Sequence, residues 1–423
     1  MTRFRFFHAA DIHLDSPLRG LSSLEGSAVA RVRTATREAL DTLVGLAIEE
    51  AVDFLIIAGD LYDGDWRDYK TGLFFAAQMG RLKKEGIPVY LLHGNHDAES
   101  QITRRLDLPD NVHVFGPRSA ETFVLDELKV VLHGQSFLQR DVTDNLVPQY
   151  PPPVPGAFNI GVLHTGLGGM GGHANYAPCA IDDLTNKGYD YWALGHVHQA
   201  SVLHENPHVV FPGNLQGRHA REVGAKGATL VTVEDGDIVE LSMIPCDVVR
   251  WAVLSVPLAD VERFGDVIDR IDDAVEAAIP TANGRLLACR IVLEGRTAIH
   301  DQLFASEDRM LAEARARALG LGDEVAWVEK VVISTQGEVD SETLAEREDA
   351  IGDLQRLLQE ATMDKDLLVQ IEDDIGKLVR QLPHEVRGNI DDGVLRAVVD
   401  GDFTALINEV SPYLSARLTA PEE

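Results

Sequence analysis

Cysteine, basic charge and long apolar runs are scarce in this 423-residue chain, and each scarcity closes off a class of protein. The three cysteines, Cys179, Cys246 and Cys289, are odd in number and far apart, so they suggest neither a disulfide framework nor a CxxC metal site. No apolar run approaches the roughly 20 residues that span a bilayer. The opening MTRFRFFHAADIH goes straight into a strand-like pattern with two arginines, and no secretory signal is visible in it. The expectation is a cytoplasmic protein that does not engage a membrane.

Bases are outnumbered 38 to 68, for a net charge of −30. That argues against a nonspecific nucleic-acid coat, because phosphate binding normally shows as a basic patch. The acidity is uneven: residues 251–423 hold 36 acids and 17 bases, a balance of −19, against −11 for residues 1–250. A local basic surface in the first part remains compatible with this, and metal cations would offset carboxylates in a site. Histidine is scarce only late in the chain, since 13 of the 15 lie at or before His219. Chemistry is to be sought there.

What is present is ordinary globular material, 45% hydrophobic and 25% charged, long enough for two or three domains. Over the first 245 residues, FRFFHAAD, DFLIIAGD and PVYLLHGNHD are separated by helix-length segments near 28–50 and 68–85, the signature of βαβ units. The later runs VHVFG, LKVVLHGQSF, FNIGVLHTG, YDYWALGHVH and HVVFPGN are more closely spaced, and ATLVTVEDGDIVELSMI predicts a β-hairpin about EDGD. The prolines of VPQYPPPVPGA (147–157) predict an extended surface excursion. The pattern is α/β, with two sheets packed together and helices outside. Beyond a boundary near Pro245–Arg250, the order strand, helix, strand, helix, strand predicts a small α/β domain. From residue 341 leucine and isoleucine recur at helical spacing. The predicted divisions are 1–247 for a catalytic domain, 248–338 for a small α/β cap and 339–423 for a helical C-terminal region suited to partner docking.

Five apolar runs of the first domain end in metal-ligand residues. FFHAA is followed by Asp11 and His13, FLIIAG by Asp60 and Asp63, VYLLHG by Asn95, His96 and Asp97, NIGVL by His164, and YWALG by His196 and His198. In sheets of this kind, ligands bind beyond the carboxyl ends of the strands. Aspartate, histidine and asparagine without thiolate suit Mn²⁺, Fe²⁺ or Zn²⁺. Strand alternation would send Asp11 and His13 to one face, and likewise His196 and His198. Two ions roughly 3.5–4 Å apart need a shared ligand, and a carboxylate such as Asp60 can bridge them.

The order DIHLD, GDLYD, GNHD, LHT and GHVH resembles the calcineurin-like metallophosphoesterase superfamily over about residues 4–245. Within it, HAADIHLDSPL, GNLQGRH (213–219) and the small domain with a helical tail make the chain similar to the SbcD-type DNA repair exonucleases. The resemblance implies a two-sheet metallophosphoesterase sandwich flanked by helices. It implies two divalent ions, Mn²⁺ first with Fe²⁺ or Zn²⁺ as alternatives. Asp11, His13, Asp60 and His198 would hold one ion, and Asp60, Asn95, His164 and His196 the other. A hydroxide between them would attack phosphorus in line. His96 would protonate the leaving oxygen, with Asp63 orienting it and favouring its charged form. The implied partners are DNA and an SMC-like ATPase, and a homodimer stays open.

The chain departs from related patterns in two places. Some repair nucleases carry histidine where Asp63 stands. Phosphoprotein phosphatases follow GDxxD with Arg-Gly and use GNHE, whereas this chain has Gly64-Asp65 and GNHD, which turns the reading away from protein phosphatases. The glycine-rich loop 166–179 offers His173, Asn175 and Tyr176 to substrate, and Arg218, His219 and Arg221 could meet phosphates. Histidines 8, 93, 113 and 133 lie in or beside strands without a motif and are expected to be structural. The alternative substrate class is a nucleotide or other small phosphate ester. A regulatory subunit with a decayed site is disfavoured by the complete ligand set.

Overall fold

A computed structural model describes residues 2–16, 27–63, 69–99, 107–169, 175–339, 341–381 and 393–419. It divides into two compact units. The first comprises Met1–Ala252, Ile279–Ala288 and Asp323–Trp327; the second comprises Val253–Ala278, Cys289–Gly322 and Val328–Glu423.

The first unit is built on two six-stranded sheets. Strands β1 (Arg3–Ala9), β2 (Phe54–Ala58), β3 (Val89–Leu92) and β4 (Val112–Val114) run parallel, as their crossover connections require. Helices α1 (Ser27–Glu49) and α2 (Tyr69–Lys84) make the first two of those crossovers. The hairpin β11 (Gly227–Glu234) and β12 (Asp237–Pro245) completes this sheet by pairing antiparallel with β1, turning at Asp235-Gly236. The second sheet has the order β5-β6-β7-β8-β10-β9, with β5 Glu121–Leu125, β6 Val130–Gly134, β7 Phe158–His164, β8 Tyr191–Gly195, β9 Ser201–Glu205 and β10 His208–Phe211.

β2 and β3 are buried on both faces and read as unbroken apolar runs, which is what a covered parallel sheet demands. One face packs against helices through Leu55, Ile57, Leu91, Leu40 and Phe75. The other meets the second sheet through Phe6, Phe54, Ile56, Ile160 and Tyr191. Phe6 and Phe54 stack with ring centroids 4.9 Å apart, and Phe6 meets Tyr191 edge-on at 5.4 Å. This interleaved core aligns the strand ends that carry the polar residues.

Two short strands, β5 and β9, escape the sequence reading because both are edge strands with largely solvent-facing side chains. The proline-rich segment also differs from a purely extended excursion. It opens with a 3₁₀ turn, Val147–Gln149, and Tyr150 turns inward to donate to the Val162 carbonyl at 2.7 Å. Strands β13 (Val249–Pro257), β14 (Leu286–Arg296) and β15 (Ala326–Gln336) form a third sheet. The second unit carries helices Phe264–Ala278, His300–Ala305 and Glu307–Gly320, then the C-terminal helices Ser341–Ala345, Ala350–Met363, Lys365–Gln381, Gly393–Asp400 and Phe403–Thr419. Among the described residues, no helix is long and apolar enough to cross a membrane.

Candidate dinuclear metal centre

The polar strand ends are drawn together by backbone bonds before any side chain acts. After β1 the chain does not continue as a strand: Asp11, His13 and Leu14 donate their N–H groups to the carbonyls of Gly59, Asp60 and Leu61 at 2.8–3.0 Å. Asp11 and His13 have φ of 50° and 44°, Asp60 51° and His196 103°. The expectation that strand alternation places Asp11 beside His13, and His196 beside His198, is therefore corrected. β1 ends at Ala9 and β8 at Gly195, and turns through the left-handed region aim these side chains. For non-glycine residues such turns cost about 1–3 kcal/mol each and cluster at functional sites.

Two glycines permit the close approach. A Cβ on Gly94 would lie 2.3 Å from Asp60 Oδ1 and 2.8 Å from His164 Nε2, and one on Gly59, at φ +97°, would lie 2.4 Å from His164 Nδ1. Asp97 then fastens the two loops. Its buried carboxylate accepts from the N–H groups of Leu61 (3.1 Å), Tyr62 (2.8 Å) and Gly94 (3.1 Å). Asn95 and His96 open a short helical segment, Asn95–Glu99, rather than a simple turn. The backbone N–H of His96 donates to Asp60 Oδ1 at 3.0 Å.

Donor atoms gather around Asp60 in overlapping groups. Those of Asp11, His13 and His198 lie within 4.8 Å of one another, as do those of His13, Asp60 and His96 and those of Asp60, His164 and His196. Asp60 Oδ2 is 3.4 Å from His164 Nε2 and 3.9 Å from His13 Nε2, so one oxygen faces both groups. Asn95 Oδ1 stands 3.0 Å from His164 Nε2. His13 Nε2 and His198 Nε2 are 3.2 Å apart. Nδ1 of His13 is buried without a hydrogen-bond partner, Asp63 Oδ1 lying 3.6 Å away. The converging donors, with Nε2 of both His13 and His198 turned inward, are nitrogen and oxygen only, and such a set fits divalent ions of hard or borderline character.

The electrostatics follow from burial. Burial raises the Asp11 pKa to about 7 despite the neighbouring His164. It works against charge on His164, but Asp60 outweighs it and lifts that pKa to about 9. Burial would raise Asp60 as well, yet His164, His96 and His13 hold it well below the ordinary value. Burial keeps His13 and His198 low, favouring neutral imidazoles with a lone pair to offer.

His96 and Asp63 stand beside the ligand groups. His96 Nδ1 is 3.0 Å from Asp63 Oδ1, and Ser16 Oγ donates to Asp63 Oδ2 at 2.6 Å. Tyr176 lies with its ring centroid 5.6 Å from that of His196. Arg218 reaches Ser16 Oγ from Nη1 at 3.5 Å, and His219 Nε2 is 3.6 Å from Glu222 Oε1. His173 lies outside the described residues. His8 is a core residue, bonded to Tyr191 Oη and the Leu194 carbonyl at 3.0 Å each, and burial lowers its pKa to about 3. The sequence reading took Asp97 for one of the metal-ligand residues after VYLLHG, whereas its carboxylate braces the loops through backbone N–H groups, and it missed Ser16 and Glu222. The only signals for these two are a hydroxyl in HLDS and an acid four residues beyond Arg218.

Two sheets delivering aspartate, histidine and asparagine to one point define a two-metal hydrolase centre, and the chain belongs to the calcineurin-like metallophosphoesterase family. The family profile "Calcineurin-like phosphoesterase" matches residues 4–200, and "Metallophosphoesterase YhaO, middle domain" matches residues 251–336. The chain is similar to the Uncharacterized metallophosphoesterase YhaO of Bacillus subtilis (strain 168), 36% identical over 299 residues, 70% of this chain and 72% of that protein. It is also similar to the DNA double-strand break repair protein Mre11 of Methanopyrus kandleri, 26% identical over 298 residues, 63% of this chain and 62% of that protein. The protein of the same name from Sulfurisphaera tokodaii is 24% identical over 322 residues, 70% of this chain and 75% of that one.

Proposed function

We propose that this metallophosphoesterase is a Mn²⁺-dependent phosphodiesterase that cleaves DNA. The observation that carries the hydrolytic reading is Asp60, whose Oδ2 faces both ligand groups while His96 and Asp63 stand alongside. Asp11, His13, Asp60 and His198 would hold one divalent ion, and Asp60, Asn95, His164 and His196 the second. Such ions, when bound, withdraw charge from phosphoryl oxygens and make water a competent nucleophile near neutral pH.

The chain's own residues supply the rest. Asp63 orients the His96 ring through Nδ1, leaving Nε2 to deliver a proton to the departing oxygen. Burial opposes the charged form of His96, but Asp60 and then Asp63 outweigh it, so its pKa lies above the ordinary value. Arg218, His219 and Tyr176 are assigned to substrate contact from their places beside Ser16, Glu222 and His196.

DNA is favoured over a small ester by the two similar proteins named for double-strand break repair, and by the chain's extent beyond the catalytic domain. An SMC-like ATPase is the corresponding partner, with the helices after residue 341 as its docking region and the cytoplasm as the setting. The test is hydrolysis of end-labelled single- and double-stranded DNA with Mn²⁺, beside bis-p-nitrophenyl phosphate. DNA cleavage abolished by His96→Ala is expected. Hydrolysis of the small ester with DNA left intact, even with a partner ATPase added, would overturn the DNA reading and leave the small-ester one.

A further inference from the structure

The segment 213–226, which follows β10, sends four contacts to one place. Glu222, only 7% exposed, sets Oε1 2.7 Å from His198 Nδ1. Its other oxygen accepts from the Asn214 amide at 2.9 Å and from the Arg218 backbone N–H at 2.7 Å. Lys226, also buried, donates from Nζ to the His198 carbonyl at 2.9 Å. His198 is thus held by its ring and by its backbone, from one short stretch of chain.

The 2.7 Å contact determines which ring nitrogen bears the proton. An ionised carboxylate can only accept, so a contact this short requires hydrogen on Nδ1. Arg218 Nη2 also approaches Nδ1, at 3.3 Å, but a guanidinium can only donate, and Nδ1 has no lone pair left to receive it. Arg218 instead braces Glu222, with Nη2 3.2 Å from Oε1. Nε2 of His198 then keeps its lone pair, and this is the atom 3.2 Å from His13 Nε2 and 3.8 Å from Asp11 Oδ1.

We infer that Glu222 is a positioning residue for the metal centre: it fixes the tautomer and ring orientation of His198, so that Nε2 faces the ion also held by Asp11 and His13. The inference rests on the dinuclear reading above. Outer carboxylates of this kind raise the basicity of a ligating imidazole, and removing one weakens metal affinity by about 10–100-fold. Asn214, Arg218 and Lys226 keep the carboxylate and the histidine from moving apart.

The test is a metal-binding cycle on the full chain, stripped with chelator and titrated with Mn²⁺ by calorimetry. The wild type is expected to bind two ions. Glu222→Gln, nearly isosteric, should weaken one of them by about 10–100-fold and leave the other within about twofold. His198→Ala should weaken the same ion, and adding Glu222→Gln to it should change nothing further, because the two residues act as one unit.

Unchanged Mn²⁺ affinities in Glu222→Gln would overturn the assignment. So would an equal further loss in the His198→Ala background. A lowered melting temperature of metal-free Glu222→Gln, alike with and without His198, would show a loop brace instead. A wild type that binds fewer than two ions would sink the dinuclear reading itself, a failure visible before any variant is made.

Discussion

Asp63 Oδ1 lies 3.0 Å from His96 Nδ1, while Asp63 Oδ2 receives the Ser16 hydroxyl at 2.6 Å. Both carboxylate oxygens are committed, so the imidazole has one orientation, with Nε2 turned away from Asp63. An acid so aimed matters in proportion to how badly the leaving group needs a proton. His96→Ala should therefore lower kcat on DNA, whose leaving alkoxide is strongly basic, by about 10²–10⁴-fold. On bis-p-nitrophenyl phosphate, whose leaving phenolate is stable, the loss should be at least tenfold smaller. Equal losses on the two substrates would remove His96 from acid catalysis.

The charge on His96 can be read without metal. Burial works against it, but Asp60 and Asp63 place its pKa above the ordinary 6.5. A raised pKa means that the folded state binds the proton more tightly than the unfolded one. The resulting stabilisation is complete below 6.5 and is lost as pH rises through the folded value. NMR titration of the metal-free protein should show this elevation, and Asp63→Asn should bring the value down. An Asp63→Asn protein that titrates like wild type would contradict the pairing.

Metal and proton should compete. Burial lifts Asp11 to about 7, and Asp60 lifts His164 to about 9 against the opposing effect of burial. Both groups must lose protons to take a cation. The metal-free protein should lose the Asp11 contribution as pH rises through about 7, while stabilisation by Mn²⁺ grows over the same range. At 100 times Kd a single site contributes about 2.7 kcal/mol, or roughly 5–10 °C in Tm for a unit of this size. Differential scanning fluorimetry with EDTA or Mn²⁺, between about pH 6 and pH 8, would show the increment growing with pH. A constant or shrinking increment would contradict it.

The glycines offer a steric test. Gly94→Ala drives a methyl to 2.3 Å from Asp60 Oδ1 and 2.8 Å from His164, so Mn²⁺ binding and activity should both collapse. Gly45→Ala, inside α1 with nothing within 4 Å, should instead stabilise by about 0.5–1 kcal/mol and leave activity unchanged. Chemical denaturation with a parallel metal titration separates the two variants.

Much of this centre is legible in the sequence because its candidate ligands are punctuation. Asp11, Asp60, Asn95, His164 and His196 each stand where an apolar run stops, and strand ends are where such folds gather function. The backbone turns are not legible, because nothing in the letters DIH or GHVH marks a left-handed φ. The supporting roles are hidden for another reason. Ser16, Asp97 and Glu222 are common polar letters whose partners lie 47, 36 and 24 positions away in the chain. His8 shows the converse: it lies within an apolar run and not after one, which is why it is expected to be structural, and its ring is bonded in the core. Edge strands such as β5 and β9 are hard to read because one-sided burial leaves a weak alternation.

The central claim is that two ligand groups share Asp60. It is tested most directly by anomalous diffraction from crystals of the full chain soaked in Mn²⁺. Two peaks roughly 3.5–4 Å apart, both in contact with Asp60, are predicted, with Asp11, His13 and His198 about one and Asn95, His164 and His196 about the other. A single peak, or two peaks of which one does not touch Asp60, would contradict the account.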